Sequence, residues 1–128
     1  MKLYKYYQPN KKDLKDQQGD CSVRALTKFL NCTWLEAFDN LVTYARQTQT
    51  VVNSLDNIKL FMKQSGYEYK SIYKKRNTVL DFTKERKTGT FMLYVRVGYG
   101  THLVTVEDGF YYDTWDCGNR LVFGYWEK

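Results

Sequence analysis

The sequence contains very little proline and no long hydrophobic run. Pro9 is its only proline, and no apolar stretch approaches the roughly 20 residues that a membrane-spanning helix needs. We therefore expect no membrane partner. Linkers rich in proline or glycine, internal repeats and low-complexity segments are also absent from the sequence. Since 128 residues is near the usual size of one domain, residues 1–128 are predicted to form a single domain.

Cysteine and histidine are scarce as well. The three cysteines are Cys21, Cys32 and Cys117, and residues 1–15 carry lysines without the apolar core of a secretory signal. These features predict a protein of the reducing cytoplasm, where cysteines remain free thiols. No C-x-x-C or H-x-x-H spacing is present. A zinc site coordinated by Cys21, Cys117, His102 and an aspartate is therefore the disfavoured alternative. No cofactor is predicted.

Positive charge and tyrosine are what the sequence has in excess. Twenty lysines and arginines face 14 acidic residues, for a formal charge of +6, and 17% of the residues are aromatic, including 12 tyrosines. So many aromatic residues exclude a disordered chain. Lysines and tyrosines are interleaved in residues 4–7 and 67–75, which is typical of surfaces that bind single-stranded nucleic acid and of ordinary strand surfaces. No nucleic-acid motif accompanies them, so nucleic acid is our second choice of partner, after a protein or peptide substrate.

The apolar residues of the first half recur with the period of a helix. Three helices are predicted, beginning near residues 21, 34 and 55. The residues expected to start or end them are Asp20 before the first, Thr33 and Glu36 as a capping box of the second, Asn53 or Ser54 before the third and Gly66 after it.

The second half changes to the alternating pattern of β-strands. Residues 91–97 and 102–107 are rich in β-branched and aromatic side chains, and Asp108-Gly109 is a hairpin signal. Further strand patterns follow at 110–115 and 121–126, after a shorter one at 67–73. Helices followed by antiparallel strands predict an α+β fold, with N-terminal helices packed on a C-terminal antiparallel sheet.

A thiol, an imidazole and a carboxylate can be brought together by this pattern. Cys21 lies in the first turn of the first predicted helix, where the helix dipole and free amides stabilise a thiolate. His102 is the only histidine. If Asp108 and Gly109 form a two-residue turn, Asp113 lies diagonally across the hairpin from His102, within reach of its ring. These are the parts of an activated nucleophile, with Cys21 attacking, His102 as its base and Asp113 orienting the ring.

The order of Cys21, His102 and Asp113 resembles that of the papain superfamily of cysteine hydrolases. Residues 113–115, Asp-Thr-Trp, stand where those enzymes carry Asn-Ser-Trp. Residues 19–21, Gly-Asp-Cys, are similar to the Asp-Cys-Gly segment of bacteriocin-processing cysteine peptidases. The resemblance implies a papain-like fold with the catalytic cysteine on the first helix.

The resemblance to papain-like enzymes also implies an oxyanion hole and a tryptophan that shields the histidine. Trp115 would exclude water from the His–Asp pair. The glutamine that precedes the cysteine in this family is replaced by Lys15, so a shorter loop must deliver Gln17 or Gln18; we favour Gln17, with the Cys21 amide as the second donor.

Arg24 follows Cys21 by one helical turn. It could bind a substrate carboxylate, or pair with Asp20 or Asp116 to hold the frame of the site, and we favour the framing role. The other two tryptophans, Trp34 and Trp126, are predicted to lie in the core.

Most of the chain is also similar to small uncharacterised proteins encoded by bacteriophages and prophages of low-GC Gram-positive bacteria. The shared segments are residues 19–26, 102–109 and 112–118. This resemblance implies a viral source, and with it a location in the host cell cytoplasm, but it implies little about the substrate. The candidate targets are a host protein, a ubiquitin-like conjugate and a peptidoglycan crosslink.

Two classes of function follow. The leading hypothesis is a thiol-dependent hydrolase that cleaves a peptide or isopeptide amide, and a transamidase would share its acyl-enzyme. The alternative is a catalytically silent papain-like fold that binds a host protein or nucleic acid as an anti-defence or takeover factor. Dependence of the biological effect on Cys21 separates the two classes.

Overall fold

Four helices and a six-stranded open sheet make up the described part of the chain, residues 2–12, 19–72, 76–98 and 100–128 of a computed structural model. The helices are α1 (Cys21–Leu30), α2 (Trp34–Thr48), α3 (Leu55–Gln64) and α4 (Val79–Glu85). The strands are β1 (Tyr4–Tyr6), β2 (Tyr69–Ser71), β3 (Thr90–Val97), β4 (Gly100–Glu107), β5 (Phe110–Asp113) and β6 (Val122–Glu127). The predicted α+β class is confirmed. Within the described ranges no helix has the length and apolarity to cross a membrane.

Helices α2 and α3 begin where their capping residues predict. The Thr33 side chain accepts a hydrogen bond from the Glu36 amide, and the Glu36 carboxylate accepts one from the Thr33 amide, which completes the capping box. The Ser54 hydroxyl accepts from the Asn57 amide, so Ser54 rather than Asn53 caps α3. These bonds satisfy amide groups that the first turn of a helix leaves without partners.

Helix α1 starts at Cys21 as predicted, but Asp20 does not cap it. The Asp20 side chain makes no capping bond to the helix. Its carboxylate accepts instead from Arg24 and from the indole of Trp34. The prediction of a cap was wrong because a charged guanidinium forms a stronger hydrogen bond with a carboxylate than a neutral amide does.

The strand order in the sheet is β1-β5-β4-β3-β6-β2. In the β4–β5 hairpin, Thr105 pairs with Tyr112 and Val106 pairs with Tyr111, which is the register predicted from a two-residue turn. Residues 108 and 109 have φ angles of 50° and 84°, as a type I′ turn requires. The hairpin therefore sets the positions of His102 and Asp113 relative to each other.

Two elements differ from the sequence prediction. β1 pairs in parallel with β5, so the sheet is not wholly antiparallel. The pattern of a three-residue strand is too short to reveal its partner, which lies more than 100 residues further along the chain. Helix α4 was not predicted either, although Thr78 and Asp81 form a capping box at its start. Its 7 residues are too few for a clear helical period.

The sheet separates two apolar clusters. Alternate residues of a strand face opposite sides, so Met92 packs with α1, α2 and α3, whereas Phe91 and Leu93 pack with α4. Trp126 is 1% exposed and belongs to the first cluster, as predicted, whereas Trp34 is only half-buried at its edge. The candidate site lies at the end of the sheet where β1 and β5 finish and β4 begins.

Candidate active site

Cys21, the first residue of α1, lies beside the start of β4. Its thiol is hydrogen-bonded to the His102 side chain and to the backbone amide of Leu103. The helix is tied to the same strand further on, because the buried Thr105 hydroxyl donates a 2.6 Å hydrogen bond to the Ala25 carbonyl. A helix and a strand that pack directly on each other thus hold the thiol and the imidazole in place.

His102 bridges Cys21 and Asp113. The Nε2 atom of His102 lies 2.5 Å from Oδ2 of Asp113. Since the carboxylate occupies Nε2, Nδ1 is the ring nitrogen left for the Cys21 thiol. His102 and Asp113 are only 6% and 3% exposed, so water weakens this chain of hydrogen bonds little.

The Asp113 carboxylate collects several donors besides His102. Its Oδ1 atom accepts from the Thr114 amide at 2.7 Å and from Nη2 of Arg24 at 3.3 Å. The thiol of Cys117, a fully buried side chain, is also hydrogen-bonded to Asp113. These donors hold the carboxylate in one orientation, which in turn orients the imidazole.

The electrostatics of the site favour a thiolate and an imidazolium. Burial raises the pKa of Cys21. The hydrogen bond and charge of His102, the Leu103 amide and the charge of Arg24 together lower it by more than burial raises it, so the net shift is downward. Burial lowers the pKa of His102, but hydrogen bonds to Asp113 and Cys21 outweigh it and raise the pKa to about 9. Between these two pKa values the proton resides on His102 and the negative charge on Cys21.

The other two cysteines have the opposite tendency. Burial raises the pKa of Cys32, and the charge of Glu36 adds to this shift. Burial, the Asp113 charge and the hydrogen bond to Asp113 raise the pKa of Cys117. Cys21 is therefore the one cysteine whose surroundings favour the reactive form.

Asp20 and Arg24 form the frame of the site. Nη1 of Arg24 is hydrogen-bonded to Oδ1 of Asp20, and Nε1 of Trp34 donates to Oδ2 of Asp20 at 2.8 Å. Arg24 thus joins the start of α1 to Asp113 at the end of β5. Of the two aspartates considered for it, Arg24 pairs with Asp20, whereas Asp116 accepts hydrogen bonds from the Tyr111 hydroxyl and the Gly118 amide.

Trp115 covers the imidazole. Its ring centroid lies 5.1 Å from that of His102, with 47° between the ring planes. The guanidinium of Arg120 lies 5.7 Å from the ring centroid of Trp115. The tryptophan is positioned where a shield for the His102–Asp113 pair would stand.

A cleft of about 630 Å³ opens over Cys21. Its walls are formed by β1 with the residues that follow it, the start of α1, the segment before α3, β4, and the residues that follow β5. The lining residues are Tyr6, Gln8, Gly19, Asp20, Cys21, Arg24, Asn53, Thr101, His102, Thr114 and Trp115. Because Asp20 and Arg24 neutralise each other, the cleft presents mainly uncharged polar and aromatic groups around the thiol.

Three of the buried residues at the site carry atoms that could bind a metal ion. Single ligand atoms of His102, Asp113 and Cys117 lie within 4.8 Å of one another, and all three residues are buried. The Arg24 guanidinium already places a positive charge on Asp113, and the Cys117 thiol is hydrogen-bonded to the same carboxylate. The cluster therefore fits a hydrogen-bonded carboxylate better than a metal ion.

The structure brings together Cys21, His102 and Asp113, with Asp20, Arg24 and Trp115 around them. Gln17 and Gln18, the predicted oxyanion donors, lie outside the described residues. Sequence reasoning missed two contacts: Trp34, expected in the core, donates to Asp20, and Cys117 donates to Asp113. Cys117 lies in residues 112–118, close in sequence to Asp113, and this proximity was the only sign of the contact. A buried thiol that donates a hydrogen bond leaves no periodic pattern in the sequence.

No family model, curated protein or solved structure matches the chain. The resemblance to papain-like hydrolases and to phage-encoded proteins therefore stays a prediction.

Proposed function

We propose that the protein is a thiol-dependent hydrolase that cleaves a peptide or isopeptide amide. The observation that carries this proposal is the continuous hydrogen-bonded chain from the Cys21 thiol through the His102 ring to the buried Asp113 carboxylate, opening into a cleft. A nucleophile, a base and an orienting group in hydrogen-bond contact are what covalent acyl transfer requires. Papain-like organisation and a phage origin belong to the same proposal.

In the first half of the reaction, the Cys21 thiolate attacks the amide carbonyl carbon and a carbon–sulfur bond forms. The His102 imidazolium then gives its proton to the leaving nitrogen as the carbon–nitrogen bond breaks. Cys21 is the first residue of α1, so its amide has no partner within the helix, and this amide is the proposed first donor to the oxyanion. Gln17 is the proposed second donor.

In the second half, water attacks the acyl carbon and gives a proton to the neutral His102 ring. The carbon–sulfur bond breaks, the acid is released and Cys21 returns to the thiolate beside an imidazolium. Asp113 stabilises the charged ring in both halves without itself becoming protonated. Trp115 limits the access of bulk water to the His102–Asp113 hydrogen bond.

The first test compares the three cysteines of one molecule. At about pH 6, iodoacetamide should modify Cys21 at least about tenfold faster than Cys32, because each unit between two thiol pKa values changes the thiolate fraction tenfold. The advantage should disappear in His102→Ala. Peptide mass spectrometry reads each site separately, and Cys117, which is fully buried, reports that the variant is still folded.

The second test asks whether the reactive thiol cleaves amides. The wild-type protein, and not Cys21→Ser, should generate new termini in a pool of unstructured peptides or in isopeptide-linked conjugates.

In the alkylation test, equal rates for Cys21 and Cys32 with an ordinary thiol pH profile would contradict the proposal. The protein would then be a binding factor, and effects on a host partner that are independent of Cys21 would identify it as one.

A further inference from the structure

We propose that the free edge of β1 binds the substrate as an extended acidic peptide and leads it into the cleft. This inference rests on the hydrolase function proposed above, and it names the class of substrate and the way in which it is recognised. β1 is an edge strand of the sheet. One of its edges pairs with β5, and no strand of the described residues pairs with the other.

The backbone hydrogen bonds show which groups of β1 point away from the sheet. β5 donates from the Tyr111 amide to the Leu3 carbonyl, and the Tyr7 amide donates to the Asp113 carbonyl. Because the peptide groups of successive residues point to opposite sides of a strand, residues 3, 5 and 7 bond to β5. The amides and carbonyls of Tyr4 and Tyr6 therefore face the edge with which no strand of the described residues pairs, in the spacing that an added strand requires.

This edge is continuous with the cleft. β1 runs parallel to β5, and Tyr6 is paired with Asp113, so β1 ends beside the hydrogen-bonded chain of the site. Tyr6 and Gln8 line the same cleft as Cys21. The Tyr6 side chain is 60% exposed, which leaves its ring available to a bound peptide.

The charge around this edge selects an acidic partner. Residues 2–12 contain four lysines and no acidic residue, and all four lysines are exposed: Lys2, Lys5, Lys11 and Lys12. The Nζ atom of Lys5 lies 4.3 Å from the ring centroid of Phe110, which belongs to the neighbouring strand β5. Asp20 and Asp113 are buried and paired with Arg24, so they do not offset the lysines, whereas the exposed Asp116 interacts with Lys2 and leaves Lys5, Lys11 and Lys12 as the positive charge of this edge.

A nucleic acid would also be attracted by lysines, but the edge favours a peptide. It presents carbonyl oxygens as well as amides, and a carbonyl repels a phosphate while accepting from a peptide amide. An extended peptide satisfies both kinds of group at once.

Binding is measured on the Cys21→Ala protein, which cannot turn over substrate. Two pools of short peptides are used, alike except that one has glutamates where the other has lysines. The glutamate pool should bind at least about tenfold more tightly at low salt and should slow hydrogen exchange of the Tyr4 and Tyr6 amides. The Lys5 amide, already bonded within the sheet, should exchange slowly with or without peptide.

Matched variants separate backbone pairing from side-chain contact. Tyr6→Pro removes the ring and the outward amide, whereas Tyr6→Ala removes only the ring, so Tyr6→Pro should bind the glutamate pool about three- to tenfold more weakly than Tyr6→Ala. Lys5→Glu should weaken binding of that pool. Lys63→Glu on α3 makes the same charge change away from β1 and should not.

The outcomes for docking and for catalysis can be distinguished. Equal binding of the two pools would overturn the selection of an acidic peptide. Unchanged exchange at Tyr4 and Tyr6, or stronger protection by a short oligothymidylate, would overturn peptide docking, whatever the activity. Protection of these amides by the glutamate pool, without cleavage of it by the Cys21-containing protein, would support docking and count against the hydrolase.

Discussion

At the scale of single residues, Asp113 connects side chains that lie far apart in the sequence. It accepts from His102 across the hairpin, from Arg24 on α1 and from Cys117 beyond β5. A buried carboxylate with this many donors is held in one orientation. The state of His102, and through it that of Cys21, therefore depends on Asp113.

Replacing Asp113 with asparagine should lower the pKa of His102. The wild-type ring should titrate at about 9, and the variant at least about one unit lower, because an opposite charge in contact shifts a pKa by about 1–3 units. Since His102 is the only histidine, a protein with carbon-13 in its histidine gives one ring signal to follow against pH.

Asp116→Asn is the control for this titration. It makes the same chemical change three residues away, at an exposed aspartate bonded to Tyr111 rather than to His102. Its His102 midpoint should stay near that of the wild type. A midpoint of about 9 in Asp113→Asn would show that the carboxylate does not hold the imidazolium.

At the scale of elements, the start of α1 is joined to α2 through Asp20. The Trp34 indole at the start of α2 donates to the Asp20 carboxylate, while the Trp34 ring stacks on Phe38 with centroids 5.1 Å apart. Helix α1 thus has its first turn held by a tertiary contact instead of a local cap. The position of Cys21 is coupled to the packing of two helices.

Trp34→Phe should destabilise the protein by about 1–3 kcal/mol, because a buried carboxylate loses a donor while the aromatic stacking is retained. Urea unfolding followed by circular dichroism measures the change. Thr43→Ala, on the exposed side of the same helix, should change the free energy of unfolding by less than about 0.5 kcal/mol. Equal effects of the two substitutions would mean that the Asp20 contact contributes nothing to stability.

At the scale of the whole molecule, one sheet serves two apolar clusters. Leu26 belongs to the cluster under α1–α3, and Phe82 belongs to the cluster under α4; both are fully buried. Strands β3 and β4 contribute side chains to both clusters. Loss of either cluster exposes the opposite face of the same strands, so unfolding should be cooperative.

Leu26→Ala and Phe82→Ala should each lower the free energy of unfolding by about 2–5 kcal/mol, and each should retain a single transition. Tryptophan fluorescence and alkylation of the buried Cys117, both measured against urea, should give the same midpoint in each variant. Separate midpoints for the two probes would mean that the α4 side unfolds independently, which would contradict the predicted single domain.

The sequence by itself determined the local elements and the hairpin. The capping residues Thr33 and Ser54 located two helices because a cap depends on neighbours along the chain. The Asp108-Gly109 turn specified the β4–β5 register, and with it the approach of Asp113 to His102, because a two-residue turn has one pairing.

Tertiary structure alone decided the contacts between distant segments. The parallel pairing of β1 with β5, the indole of Trp34 on Asp20 and the thiol of Cys117 on Asp113 join residues with no shared period or turn. Partners of this kind are chosen by competition among all buried donors and acceptors, and that competition is resolved only when the helices pack on the sheet.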